Sequence, residues 1–420
     1  MNKNLTDTRQ NPSQIYSEID ACRLCFSKDL HDVLDLGSQP PANSLRNNVE
    51  EVVPSAPLKL VQCAKCSGVQ LTATVDPGYL FSEYVWVTAT SATARNYSET
   101  YCKEVLARMA VKKPFVVEIA SNDGTFLKQF KEAGCSILGV DPAVNIATQA
   151  VADGVPTLAE FFDSAVAKKI LAEYDRPSIV MARNVIPHVK EIHSIVDGLA
   201  TLVDADGVVV IEFHYAKSIL KELHYDSIYH EHLFYFSIKS LTELFLQYGL
   251  HSFDAFESPI SGGSVVLFFS KQKKKITSTL SNLIDDEKQS GLNNLSTWEK
   301  FGFESVTHAQ ELKKTVLEYA EGGEILAYGA SARSSTLMNF VGVSSSEIEC
   351  VIDKNPLKHG LLTPGTNIPI VSYEEGIKRL GMKPILLLAW NFEEEIVQDL
   401  RNTGYKGDII VPLPNRVHVR

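Results

Sequence analysis

Four groups of residues in this chain have types and spacings that can do chemistry. Cys22-Arg-Leu-Cys25 and Cys63-Ala-Lys-Cys66 are two CxxC pairs with 37 residues between them. Each pair aims two thiolates at one point, and two pairs complete the tetrahedron that structural Zn2+ takes from protein thiolates. Four thiolates leave no position for water. Cys22, Cys25, Cys63 and Cys66 are therefore expected to hold one structural zinc without catalytic work. The other cysteines, Cys102, Cys135 and Cys350, are scattered, and an odd total of 7 makes a poor disulfide framework.

The second group is Val117-Glu-Ile-Ala-Ser-Asn-Asp-Gly124, where a short apolar run passes into a helix-like segment. A tight turn there brings backbone close to a ligand, with a helix N-terminus behind it. Ala120 and Gly124 give the clearance. The spacing is not GxGxxG, and an acid opening the turn suits a cationic ligand end better than a pyrophosphate. Asp141 ends the next apolar run, about 20 residues on, where a carboxylate grips ribose hydroxyls. Turn and acid together predict a nucleoside ligand. The local alternative is that Asn122 or Asp123 caps the helix.

The third group, Tyr229-His-Glu-His232, lies in a Tyr- and His-rich stretch over 214–240. Histidine is the natural proton acceptor near neutral pH. A metal cluster is the other reading, but the spacing departs from HExxH and no third ligand is near. His214, His224 and His230 read as surface or packing residues, and Phe234-Tyr-Phe236 as aromatic core. The fourth group is Tyr328-Gly-Ala-Ser-Ala-Arg-Ser-Ser335, a small-residue turn entering a helix. Its N–H groups and Arg333 predict contact with a diphosphate, against a purely structural turn. Asp353 ends the next strand and would suit NAD, but the three-glycine spacing is missing.

These groups must be held by several units. At roughly 150 residues per domain, 420 residues predict two to three. Residues 1–18 read as a disordered leader and 19–75 as a zinc-binding domain of short strands. Over 76–270, strands at Phe115–Ile119, Ser136–Val140, Ser178–Ala182 and Val208–Glu212 alternate with amphipathic helices. A hairpin from Phe253–Phe256 and Ser264–Phe269 closes this unit. Continuous apolar strands between helices indicate a parallel sheet covered on both faces. The 214–240 stretch follows a strand's C-terminal end, the edge at which open α/β sheets bind ligands. Residues 271–420 begin with a helical linker to about 321, opening on the solvated basic run Lys271-Gln-Lys-Lys-Lys275. Strands at Glu324–Tyr328, Ile348–Ile352 and Pro384–Ala389 follow. The predicted fold class is α/β. It comprises an N-terminal zinc-binding domain, a central Rossmann-like domain and a smaller, doubly wound C-terminal α/β domain.

A formal charge of −11 argues against a nucleic-acid partner, which needs a basic stripe. No window carries the roughly 20 apolar residues of a membrane span. The start, MNKNLTDTRQNPSQ, lacks the apolar region of a secretory signal, so a cytoplasmic protein is expected. A monomer is expected for a chain of three domains.

Taken in order, CRLC, DLGSQPPANSL, CAKCSGVQL, EIASNDG, ARNVIPHV and YDSIYHEHLFYFS resemble the nucleotide-sugar C-methyltransferases. AYGASARSSTLMNF and IDKNPLKHGLLTPGTNIPIV extend the likeness to the C-terminus. The resemblance implies S-adenosylmethionine in the central domain and a nucleoside-diphosphate-linked 4-keto-6-deoxysugar as acceptor, methylated commonly at C3. It carries Glu118, Ala120, Asn122 and Gly124 to the cofactor, Asp141 to its ribose, and Asn184 to the neighbourhood of its methionine part. It implies His232 as general base, Glu231 orienting it, and Tyr229 bonding the sugar. His188 is implied as an enolate donor, and Tyr84 as reaching the same cleft. Ser261-Gly262-Gly263 stands where relatives often show His-Gly-Gly; Ser261 is expected to donate to the sugar, while Tyr328 and Arg333 hold the nucleotide end. Two other functions keep some of these features. One is O- or N-methyl transfer to a nucleotide sugar. The other is a zinc-ribbon nucleic-acid-binding regulator, which the negative charge disfavours.

Overall fold

The computed structural model describes residues 15–81, 88, 92–260 and 263–420, and every structural statement below concerns those residues. The apolar runs of the central unit form a seven-stranded sheet. Phe115–Ile119 lies near its middle, flanked in parallel by Ser136–Val140 on one side and Ile179–Arg183 on the other. Thr157–Leu158 extends the first side in parallel, and Val208–His214 the second. Ser264–Ser270 then runs antiparallel between Val208–His214 and His251–Ser258, the predicted hairpin. Chain order reverses at Phe115–Ile119. The C-terminal ends of Phe115–Ile119 and Ile179–Arg183 therefore flank the crevice where such sheets take ligands.

The C-terminal unit is wound the same way. Its strands run Ile370–Val371, Ile348–Ile352, Ile325–Tyr328, Ile385–Leu387, Ile409–Val411 and His418–Val419, with only the last antiparallel. One local device recurs in both units. Asp141 accepts from the backbone N–H of Asn122 at 2.8 Å and of Ala143 at 2.9 Å. Asp353 accepts from Ala330 and Asn355, both at 2.8 Å. In each unit the acid ending the second strand ties down the turn after the first.

The N-terminal sheet pairs Leu30–Gln39, Ala56–Cys63 and Val69–Leu71 antiparallel. Its fourth strand, Phe234–Tyr235, comes from the Tyr/His-rich stretch of the central unit. The expected disordered leader is too long at 18 residues, because Tyr16–Glu18 pairs with Ala73–Val75 and so satisfies its backbone groups. The expected helical linker is two helices, Ser278–Ser290 and Leu295–Ala320, separated where Gly291 takes a left-handed φ of 65°. The longer helix lies against the N-terminal sheet at Gly302, where an added Cβ would sit 2.0 Å from the Val33 carbonyl oxygen. Among the described residues no helix is long and apolar enough to cross a membrane.

Candidate active site

The four predicted thiols converge. The Sγ atoms of Cys22, Cys25, Cys63 and Cys66 lie within 4.8 Å of one another, with Cys22–Cys66 and Cys25–Cys63 at 3.6 Å. A tetrahedron with Zn–S of about 2.3 Å has edges of about 3.8 Å, whereas a disulfide needs about 2.05 Å. The donor set thus fits structural zinc. The N–H of Leu24 and the Gln70 amide donate to Cys22 Sγ at 3.4 and 3.1 Å, fixing that thiolate. The knuckle also docks on the central unit, since His193 Nε2 donates to the Arg23 carbonyl at 2.9 Å.

The turn after Phe115–Ile119 folds as its small residues allow. Ala120, Asn122 and Gly124 all take left-handed φ, at 54°, 50° and 72°. At Gly124 a Cβ would come 2.8 Å from Val155. Asn122 Oδ1 accepts from the backbone N–H of Thr88 at 2.9 Å. Asp123 accepts from the N–H and hydroxyl of Thr125 at 3.1 and 2.7 Å, a local turn, while the N-cap of the helix Thr125–Glu132 is Gly124, so neither Asn122 nor Asp123 caps it. Glu118 lies beneath the turn, only 2% exposed. One oxygen is 3.6 Å from the Arg183 guanidinium, whose Nε lies 2.8 Å from Glu212. Burial pushes the Glu118 carboxyl up to about 8, against the pull of Arg183. Sequence reading missed Arg183 and Glu212. Their only signal was a charge inside an otherwise apolar strand, which in the interior must be paired.

The last turn of that edge brings three imidazoles together. A cavity of ≈ 50 Å³ is lined by Asn184, Pro187, His188, His214, Ile219, His232, Phe234 and Tyr235. Asn184 follows Ile179–Arg183 with φ 51°, which puts the strand's C-terminal end at this cavity. The His188 and His232 rings meet edge to face with centroids 4.7 Å apart. His232 Nδ1 is 3.2 Å from the Ser227 carbonyl, and Nε2 is 3.0 Å from the Tyr229 hydroxyl. A carbonyl only accepts, so Nδ1 carries the hydrogen and Nε2 keeps a lone pair. Burial, reinforced by His188 and His214, holds the His232 pKa well below its usual value. Burial also lowers His188 to about 4, although the Glu231 and Asn184 carbonyls oppose it.

Several placements differ from expectation. Glu231 does not orient His232 through its carboxylate: that oxygen accepts from the Asn43 amide at 2.7 Å, and Ser227 orients the ring instead. His230 keeps to expectation as a packing residue, its Nε2 donating to the Ala56 carbonyl at 3.1 Å. His214, expected as a surface or packing residue, is packed rather than at the surface. It walls the cavity, and its Nε2 is buried without a hydrogen-bond partner among the described residues. Phe234 and Tyr235 are core, as expected, and also line the cavity. Tyr84 and Ser261 lie outside the described residues. The four cysteines are the one His/Cys/Asp/Glu cluster of metal-ligand geometry among those described, so His230-Glu-His232 is not a second.

In the C-terminal unit, Tyr328 is buried at its strand end, its hydroxyl unpartnered among the described residues and pushed up to about 12 by burial. Ser331 caps the helix Ala332–Val341. Arg333 has a partner other than the expected phosphate. Its Nε and Nη2 donate to Asp226 at 3.1 and 3.0 Å, and Trp390 Nε1 donates to the same carboxylate at 2.8 Å. A carboxylate 1% exposed holds its cation strongly, because separation would strand a buried charge.

Residues 22–81 match a family described as a zinc binding domain, 94–252 a methyltransferase domain, and 259–414 a C-methyltransferase C-terminal domain. The C-methyltransferase NovU of Streptomyces niveus is 30% identical over 409 residues, covering 95% of this chain and 97% of that protein. Among solved structures, a Pyrococcus horikoshii OT3 protein aligns with 46% of this chain and 99% of its own at 14% identity and a TM-score of 0.37. The 1,6-didemethyltoxoflavin-N1-methyltransferase of Burkholderia thailandensis aligns with 47% and 84% at 17% identity and a TM-score of 0.34.

Proposed function

This chain belongs to the C-methyltransferase family with an N-terminal zinc-binding domain, and we propose that it methylates C3 of a nucleoside-diphosphate-linked 4-keto-6-deoxysugar. S-adenosylmethionine supplies the electrophilic methyl group. Asp141 and the Glu118–Gly124 turn hold its nucleoside, and Asn184 lies toward its methionine end. His232 removes the C3 proton, which is acidic because the adjacent ketone accepts the charge as an enolate. Tyr229 bonds the sugar, and His188 donates to the enolate oxygen.

The observation that carries this reading is the setting of His232, with Nδ1 on the Ser227 carbonyl and Nε2 toward the Tyr229 hydroxyl, in a cavity that Asn184 also lines. Carbon methylation needs a base that takes a carbon-bound proton, whereas oxygen methylation loses only a hydroxyl proton. The test is a panel of 4-keto-6-deoxy nucleotide sugars incubated with S-adenosylmethionine, read by mass for one added methyl. His232→Asn should bind the cofactor yet transfer no methyl. In the wild type, solvent deuterium should enter C3. Transfer without a carbon-bound proton being exchanged or lost would point to an oxygen or nitrogen acceptor.

A further inference from the structure

We propose that Asp226 and Arg333 form a clasp through which the C-terminal unit sets the position and tautomer of His232, an inference that rests on His232 being the base. Asp226 sits in the short turn Tyr225–Ser227, ahead of His232 in the chain. Every residue of that turn is tied. The Tyr225 hydroxyl meets His308 Nδ1 at 3.0 Å, and His308 Nε2 donates to the Pro412 carbonyl at 2.7 Å. Asp226 takes the Arg333 fork and the Trp390 indole, while the Arg333 guanidinium lies 4.6 Å over the Trp390 ring. Ser227 passes the constraint on, its carbonyl 3.2 Å from His232 Nδ1. All three anchors, His308, Arg333 and Trp390, belong to elements after the central sheet, in Leu295–Ala320, Ala332–Val341 and Trp390–Phe392.

The physics favours transmission. A forked guanidinium–carboxylate pair has one preferred planar geometry, and here a third donor fixes the carboxylate further. With Asp226 immobile, the next carbonyl is immobile too. A fixed acceptor at Nδ1 keeps the hydrogen there and the lone pair on Nε2. Without it, the Nε2–H tautomer becomes populated, and its lone pair sits on Nδ1, turned toward Ser227, leaving none on Nε2 for the C3 proton. Asp226 and Arg333 are thus positioning residues.

The test uses full-length, zinc-loaded Asp226→Asn and Arg333→Lys. The second keeps the charge beside Asp226 and guards against a first variant that merely fails to fold. Side-chain 15N spectra report the tautomer of His232, assigned by its loss in His232→Asn, and single-turnover transfer reports the rate. Both variants should retain zinc and cofactor affinity, while transfer falls on the order of 100-fold, as for a misplaced catalytic group. Acceptor KM should change little, and the His232 signal should move toward Nε2–H. Combining Asp226→Asn with Arg333→Gln, which restores a neutral hydrogen-bonded pair, should recover part of the rate. Folded variants that keep the wild-type tautomer, or that transfer methyl at the wild-type rate, overturn the proposal. Failure of the base reading shows separately, as His232→Asn retaining transfer, because the tautomer measurement does not depend on it.

Discussion

The Ser227 carbonyl oxygen lies 3.2 Å from His232 Nδ1, and this one contact decides which face of the imidazole can accept a proton. Burial beside His188 and His214 keeps the ring neutral well below its ordinary pKa of 6.5. A base works in its neutral form, so lowering the pH through 6.5 leaves it competent. The acid limb of kcat/KM, which reports the free enzyme, should therefore fall well below 6.5. A limb at or above that value would show that His232 titrates as an exposed histidine.

Stability should carry two opposite pH dependences. His188 is depressed from 6.5 to about 4, so its contribution is present above 6.5 and is lost as the pH falls toward 4. Glu118 is raised from 4.5 to about 8, so its contribution is present below 4.5 and is lost as the pH rises toward 8. Against wild type, His188→Gln should gain in relative Tm on acidification through the first window. Glu118→Gln should gain on going up through the second. Thermal melts of the three proteins across both windows check the signs.

Gly124→Ala should weaken S-adenosylmethionine binding by about 5- to 30-fold, since left-handed backbone costs a non-glycine residue roughly 1–2 kcal/mol. The new Cβ also meets Val155 at 2.8 Å, so the turn must shift. Titration calorimetry gives the affinity. Unchanged binding would mean that the turn does not contact the cofactor.

Zinc removal should reach the histidine cavity. Metal analysis should give one zinc per chain. Chelation or Cys63→Ser should lower hydrogen-exchange protection at Val69–Leu71, which follows the second knuckle. Protection should also fall at the paired Phe234–Tyr235, just beyond His232. Loss confined to Val69–Leu71 would show that the zinc knuckle is not coupled to Phe234–Tyr235 through their shared sheet.

The sequence by itself determined the zinc ligands, the parallel strands and the Glu118–Gly124 turn. Each is a local pattern: CxxC spacing, apolar runs between amphipathic helices, and small residues where backbone must turn tightly. The sequence also marked Tyr229-His-Glu-His232 as a reactive stretch, but it could not say which side chain faces which. Glu231 adjoins His232 in the chain and yet bonds Asn43, while Ser227 holds the imidazole. His214 and Arg333 show the same limit from the other side. Along the chain, His214 reads as a surface or packing residue and Arg333 as a phosphate ligand. In three dimensions His214 walls the cavity and Arg333 is paired with Asp226, 107 positions away. Only the tertiary structure decided these partners, because a buried charge or imidazole takes whichever complementary group packing brings within hydrogen-bond reach, and packing is set by contacts remote in sequence.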